Sequence, residues 1–157
     1  MTEQTPARLP GHVTVTEGDF DLTAESSALT DGREDVGGLA SFVGLCRGGD
    51  GLRALVLEHY PGMTERSLNA IRDEAARRWP LLGCTLIHRV GRIRPGENIV
   101  LVLAVSAHRV AALEACAFLI DWLKTGAPFW KSEEFTDGTT RWVDAKATDD
   151  ALADRWR

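Results

Sequence analysis

Two runs of aliphatic and β-branched residues, Cys84 to Ile93 and Ile99 to Val105, are separated only by Arg94-Pro95-Gly96-Glu97-Asn98. Adjacent Pro and Gly suit a tight reversal, so the runs predict an antiparallel hairpin whose strands are largely buried.

The rest of the chain reads around that pair. Gly37 to Cys46 is apolar and punctuated by Gly, Arg47-Gly48-Gly49-Asp50-Gly51 has turn chemistry, and Leu52 to Glu58 alternates apolar and polar residues, which predicts another hairpin. Phe129 to Phe135 and Arg141 to Ala145 predict two short strands around Asp137-Gly138. Near the start, Val13 and Val15 alternate as a short strand would, Leu22 to Leu29 is a weak helical segment, and residues 30 to 36 form a polar loop.

Two longer helices are expected. Pro61-Gly62 breaks the chain before Met63 to Trp79, where Leu68, Ile71, Ala75 and Trp79 recur at helical spacing and Pro80 ends the run. Arg109 to Lys124 carries Leu113, Ala117, Ile120 and Leu123 as an apolar stripe, with Ser106 as its cap and Gly126 and Pro128 as its stop. The last ten residues predict a small terminal helix. Hairpins separated by single helices predict an α+β domain with mainly antiparallel sheet, not a Rossmann-type alternation.

Composition narrows the function classes. A net charge of -5 over 157 residues argues against nonspecific nucleic-acid binding, which needs a basic face. Cys46, Cys84 and Cys116 are odd in number, widely spaced and set in apolar runs, as reduced thiols would be. Cys46 beside Arg47 reads as a small buried strand residue more readily than as an activated thiol. Neither the cysteines nor His12, His59, His88 and His108 show paired metal-ligand spacing. Residues 1 to 11 lack a signal-peptide core and no apolar run reaches about 18 residues, so a soluble, cytoplasmic protein is expected.

Three lysines stand against fifteen arginines, and two of them bracket Lys124-Thr125-Gly126-Ala127-Pro128-Phe129-Trp130-Lys131. An ammonium can lose its proton where a guanidinium cannot, which makes Lys124 and Lys131 candidates for chemistry. Each also has a plain structural explanation: Lys124 offsets the carbonyl end of a helix, and Lys131 flanks two anchoring aromatics. His108 and Arg109 open the same helix, where free amides already favour anions, although a capped terminus with an exposed Arg accounts for them equally. Arg47 before its Gly-rich turn suits a phosphate clamp or an exposed turn; Gly48-Gly49-Asp50-Gly51 lacks the spacing of a nucleotide-binding loop. His108 and Lys124 are 16 positions apart, or about 24 Å along a helix. If both ends act on one small molecule, they most simply meet across a two-fold dimer.

Leu57-Glu58-His59-Tyr60-Pro61-Gly62-Met63-Thr64, Ser106-Ala107-His108-Arg109 and Asp121-Trp122-Leu123-Lys124-Thr125-Gly126-Ala127-Pro128-Phe129-Trp130-Lys131 together resemble, in order and spacing, the catalytic (large) subunit family of molybdopterin synthase. The likeness runs from about Gly37 to Trp156. It implies an α/β-hammerhead fold with a small additional β-subdomain. Residues 1–35 would be a partly mobile N-terminal strand and helix segment, and residues 36–157 the catalytic region, within a single domain overall.

The resemblance further implies a homodimer at the core of a heterotetramer, each chain binding a small ubiquitin-like sulfur carrier whose Gly-Gly terminus bears a thiocarboxylate. The implied reaction converts cyclic pyranopterin monophosphate into molybdopterin, building a dithiolene in molybdenum cofactor biosynthesis without a metal or redox cofactor. Carried over by position, Lys124 is the catalytic amine, as acid/base or transient acyl acceptor, and Lys131 anchors substrate and stabilises charge. Arg47, His108, Arg109 and Lys146 bind substrate, His108 and Arg109 from the neighbouring subunit, with Leu45, Cys46, Ser132 and Glu133 as further candidates. Leu45 stands where the family often has Lys, which weakens a binding role at Leu45 and Cys46, and Lys146 stands where Arg is common. Two other readings are a noncatalytic anion-binding or scaffold dimer of the same fold and a Schiff-base lysine enzyme.

Overall fold

The computed structural model describes residues 8–144 and 147–157; Ala145 and Lys146 lie outside the described residues. In chain order the elements are β1 (Val13–Thr16), α1 (Leu22–Thr30), β2 (Gly38–Leu45), β3 (Leu52–His59), α2 (Met63–Arg78), β4 (Leu81–Arg89), β5 (Gly91–Ile93), β6 (Asn98–Ser106), α3 (Arg109–Thr125), β7 (Phe129–Phe135), β8 (Thr140–Val143) and α4 (Ala147–Asp154). The strands form two four-stranded sheets, β1-β4-β6-β2 and β5-β3-β7-β8, with β1 parallel to β4 and the remaining pairs antiparallel. The α+β expectation holds. Among the described residues, no helix is long and apolar enough to cross a membrane.

The predicted hairpin of β4 and β6 forms, with Cys84 opposite Ala104 and His88 opposite Val100. β6 is apolar without alternation because both of its faces are covered. Val100, Val102 and Ala104 pack under α2 and α3 with Leu68, Ile71, Ala115 and Leu119. Leu101, Leu103 and Val105 point the other way, against Leu29 of α1, Ile87 and the partly buried Phe20 and Val36. The segment before β2 is therefore one wall of the core. The Arg72 guanidinium reinforces it from α2, donating to the carbonyls of Leu9, Pro10 and Cys84.

Three local expectations are corrected. First, β2 and β3 do not form a hairpin: β2 pairs with β6 along its length, whereas β3 lies between β5 and β7 in the other sheet. Gly49, Asp50 and Gly51 all adopt positive φ, so the loop leads out of one sheet into the next rather than folding the strand back. Second, the apolar run Cys84 to Ile93 is shared between sheets. It divides at Gly91 (φ 83), beyond which Gly91–Ile93 pairs with β3. Third, the inward stripe of α3 is displaced. Leu123 is buried as expected and Ile120 partly so, but Leu113 is 60% exposed, and the buried face is built on Ala112, Ala115, Cys116, Leu119 and Leu123. Small residues there let α3 lie close on the sheet. Ser106 is not its cap either, since its hydroxyl donates to the Pro80 carbonyl and His108 takes the cap position.

The C-terminal end is tied to α3 through Asp121, whose Oδ2 accepts from the Arg155 guanidinium (2.8 Å) and the Trp156 indole N–H (2.7 Å). Because α1 closes the second face of β6, Leu29→Ala should cost about 2–5 kcal/mol of unfolding free energy in urea titration.

Candidate active site

The two longest motif segments of the sequence meet in space. Antiparallel pairing of β3 with β7 sets Leu57 opposite Lys131 and His59 opposite Phe129. Strand alternation then directs Leu55, Leu57, Phe129 and Lys131 to one face. Around Tyr60-Pro61-Gly62 the chain turns into α2: the Thr64 hydroxyl donates to the Tyr60 carbonyl and accepts from the Tyr60 N–H, and the Glu65 carboxylate accepts from the Gly62 N–H. Tyr60 and Trp130 meet edge to face at 4.2 Å. Much of the first motif is thus architecture that holds β3 against β7.

Between the two sheets and the C-terminal end of α3 lies a cavity of about 200 Å³. Its apolar lining includes Leu57, Ile99, Ile120, Leu123 and Phe129, and its polar lining includes Lys124, Lys131, His88, Thr125, Asp144 and Asp149. Lys124 is exposed and Lys131 half-buried.

His88 was not singled out by its sequence context, although a lone imidazole in an apolar run was a signal that it needs a polar partner. It is buried, stacks on Phe129 at 3.9 Å with 20° between the rings, and its Nδ1 lies 2.8 Å from the Arg89 carbonyl. A carbonyl can only accept, so Nδ1 carries the hydrogen and Nε2 is left as a lone pair. Burial pushes the His88 pKa down from 6.5 to about 4 against the pull of the Arg89 carbonyl, with Lys124, Lys131 and His59 adding to the depression.

The other candidate residues are distributed as follows. Arg47 and Leu45 are exposed near the end of β2, and Cys46 is buried with Leu57 and Ile93; none of the three lines the cavity. Burial raises the thiols of Cys46, Cys84 and Cys116, the last two to about 12 and 11, so none is an activated nucleophile. Ser132 alternates away from Lys131 on β7, and Glu133 accepts from Arg141 at 3.2 Å. His108 and Arg109 are exposed at the far end of α3, with the helix length between them and Lys124.

The protein is an α+β fold of two four-stranded sheets with two lysines at one small cavity between them. The chain belongs to the MoaE protein family, whose model matches residues 15–126. The molybdopterin synthase catalytic subunit of Mesorhizobium japonicum is 59% identical over 147 residues, covering 92% of each chain. A solved structure described as a molybdopterin biosynthesis MoaE protein from Burkholderia ambifaria is 49% identical with a TM-score of 0.79, covering 93% of this chain and 97% of that one. At 21% identity and a TM-score of 0.68, a chain of the complex of subunits 1 and 2 of molybdopterin-converting factor from Helicobacter pylori shares the fold, covering 86% of this chain and 90% of that chain.

Since the folded pKa of His88 is depressed, the unfolded chain binds the extra proton between about pH 6.5 and 4, and stability falls as pH drops through that window. His88→Phe should remove this component. Its stability deficit relative to wild type should shrink by about 2 to 3 kcal/mol between pH 6.5 and pH 4, as read by urea unfolding at each pH.

Proposed function

We propose that this chain is the catalytic subunit of a molybdopterin synthase, transferring sulfur from the thiocarboxylate of a small ubiquitin-like carrier to cyclic pyranopterin monophosphate in the cytoplasm. The observation that carries the reading is the convergence of Lys124, from the end of α3, and Lys131, placed by the β3–β7 pairing, on one cavity. The names of the relatives support it, as does the two-subunit assembly of the Helicobacter pylori protein.

Two anions must share the site, a phosphate-bearing pterin and a thiocarboxylate, and the two ammonium groups of the cavity offset their repulsion. The carrier tail would cover Lys124 and desolvate it, which suits that amine to act as acid/base or transient acyl acceptor. Lys131 anchors substrate. Arg47 and Lys146 also bind substrate, and His108 and Arg109 act from a second copy of the chain.

Pairing of two copies is supported by an apolar face beside those two residues. Val110 (57%) and Leu113 (60%) are exposed on α3, and β2, an edge strand, exposes Leu39 and Phe42. A long apolar edge of this kind favours being covered. In this reading the described residues 8–35 belong to the folded unit through β1 and α1.

Purified protein mixed with cyclic pyranopterin monophosphate and thiocarboxylated carrier should form dithiolene product. Lys124→Ala should lower turnover about 10²- to 10⁴-fold, and full activity in that variant would exclude the assignment. Mixed dimers of Lys124→Ala with the double variant His108→Ala/Arg109→Ala should recover activity by restoring one complete site; verified mixed dimers without recovery would argue against a shared site.

A further inference from the structure

His88 is the buried polar group of the cavity that the proposed chemistry leaves without a task. Its ring is fixed in two independent ways, by the face-to-face stack on Phe129 and by the 2.8 Å bond from Nδ1 to the Arg89 carbonyl. Both constraints leave Nε2 as the free edge of the ring, on a residue that lines the same cavity as Lys124 and Lys131. Arg89 contributes its carbonyl alone, because its guanidinium is committed to the carbonyls of Glu17, Gly18 and Asn98.

Resting on the sulfur-transfer reading, we infer that His88 is a positioning residue: its Nε2 lone pair accepts a hydrogen bond from the Lys124 amine and aims that side chain into the cavity. The choice of imidazole has a physical reason. A carboxylate in this place would orient the lysine but also neutralise it, and would repel an incoming thiocarboxylate. A neutral acceptor orients the amine without adding a further carboxylate to Asp144 and Asp149 in the cavity lining. Burial and the surrounding cations keep the ring neutral at working pH. The charged and titratable groups that face it are Lys124, Lys131 and His59, with Asp144 and Asp149 on the β8–α4 side of the cavity.

The imidazole is not a base for Lys124, since its proton affinity lies far below that of an ammonium. Its contribution is geometric, and misplacement of a reacting group by about 1 Å can cost about 10²-fold in rate. His88→Phe keeps a stacked ring and removes the acceptor, whereas His88→Gln places an amide oxygen near the position of Nε2.

In the dithiolene assay His88→Phe should lower kcat about 10- to 100-fold while KM for the carrier changes less than about threefold, and His88→Gln should recover a substantial part of the loss. Wild type should also lose activity on the acid side as His88 gains a proton, a limb reduced in His88→Gln. Wild-type kcat in His88→Phe would overturn the inference. So would an equal loss in His88→Phe and His88→Gln.

A second measurement stands apart from turnover. Long-range ¹⁵N NMR of the free protein at pH 7 should show a neutral ring with hydrogen on Nδ1, and Lys124→Ala should shift the Nε2 resonance. A protonated ring, hydrogen on Nε2, or an Nε2 resonance indifferent to Lys124→Ala would overturn the inference even if wild type made no dithiolene. Absence of dithiolene formation by wild type would itself count against the sulfur-transfer reading.

Discussion

β6 has to be covered on both faces, and most of the architecture follows from that requirement. Its alternating side chains divide between α2 and α3 on one side and α1 with its flanking loop on the other. Each large aliphatic group so buried contributes about 1.5–3 kcal/mol relative to an exposed one. The strand therefore fixes where three helices lie. Because α3 is laid on this sheet, its C-terminal end is delivered to the gap between the two sheets, and Lys124 comes with it.

The second sheet supplies the other half of the site. β3 and β7 are separated in sequence by two helices and two strands of the first sheet, yet their register sets Leu57 opposite Lys131 and brings Phe129 beneath His88. Ile99 and Phe129 pack against the cores of both sheets, so the cavity wall is continuous with the hydrophobic interior. A site built this way holds ammonium groups and a neutral imidazole on sheet and helix backbone rather than on a loop. Such placement suits chemistry in which two anions must be held together.

Local periodicity and turn residues were sufficient for much of the fold. The β4–β6 hairpin, the β7–β8 hairpin and both long helices were legible because each depends on interactions within a few tens of residues. The pairing of β2 with β6 instead of β3 was not. Leu52 to Glu58 and Gly37 to Cys46 are both strand-like, and the choice of partner rests on which sheet can bury each one. The same limit applied to α3, where Leu113 satisfies helical spacing as well as Leu119 does, but a face of Ala and Cys sits closer to the sheet. His88 escaped notice because nothing within its own segment distinguishes a ring that closes the core from one that borders a cavity.

By itself the sequence determined the element types, the α+β class and the family, and it singled out Lys124 and Lys131 as candidates, since these reside in residue identity and short-range spacing. Only the tertiary structure decided that the two lysines share one cavity, that β2 and β3 belong to different sheets, and that His88 borders the same space as a neutral ring. Those outcomes depend on long-range register and on burial. Both are properties of which surfaces finally meet, and no local stretch of the chain encodes them alone.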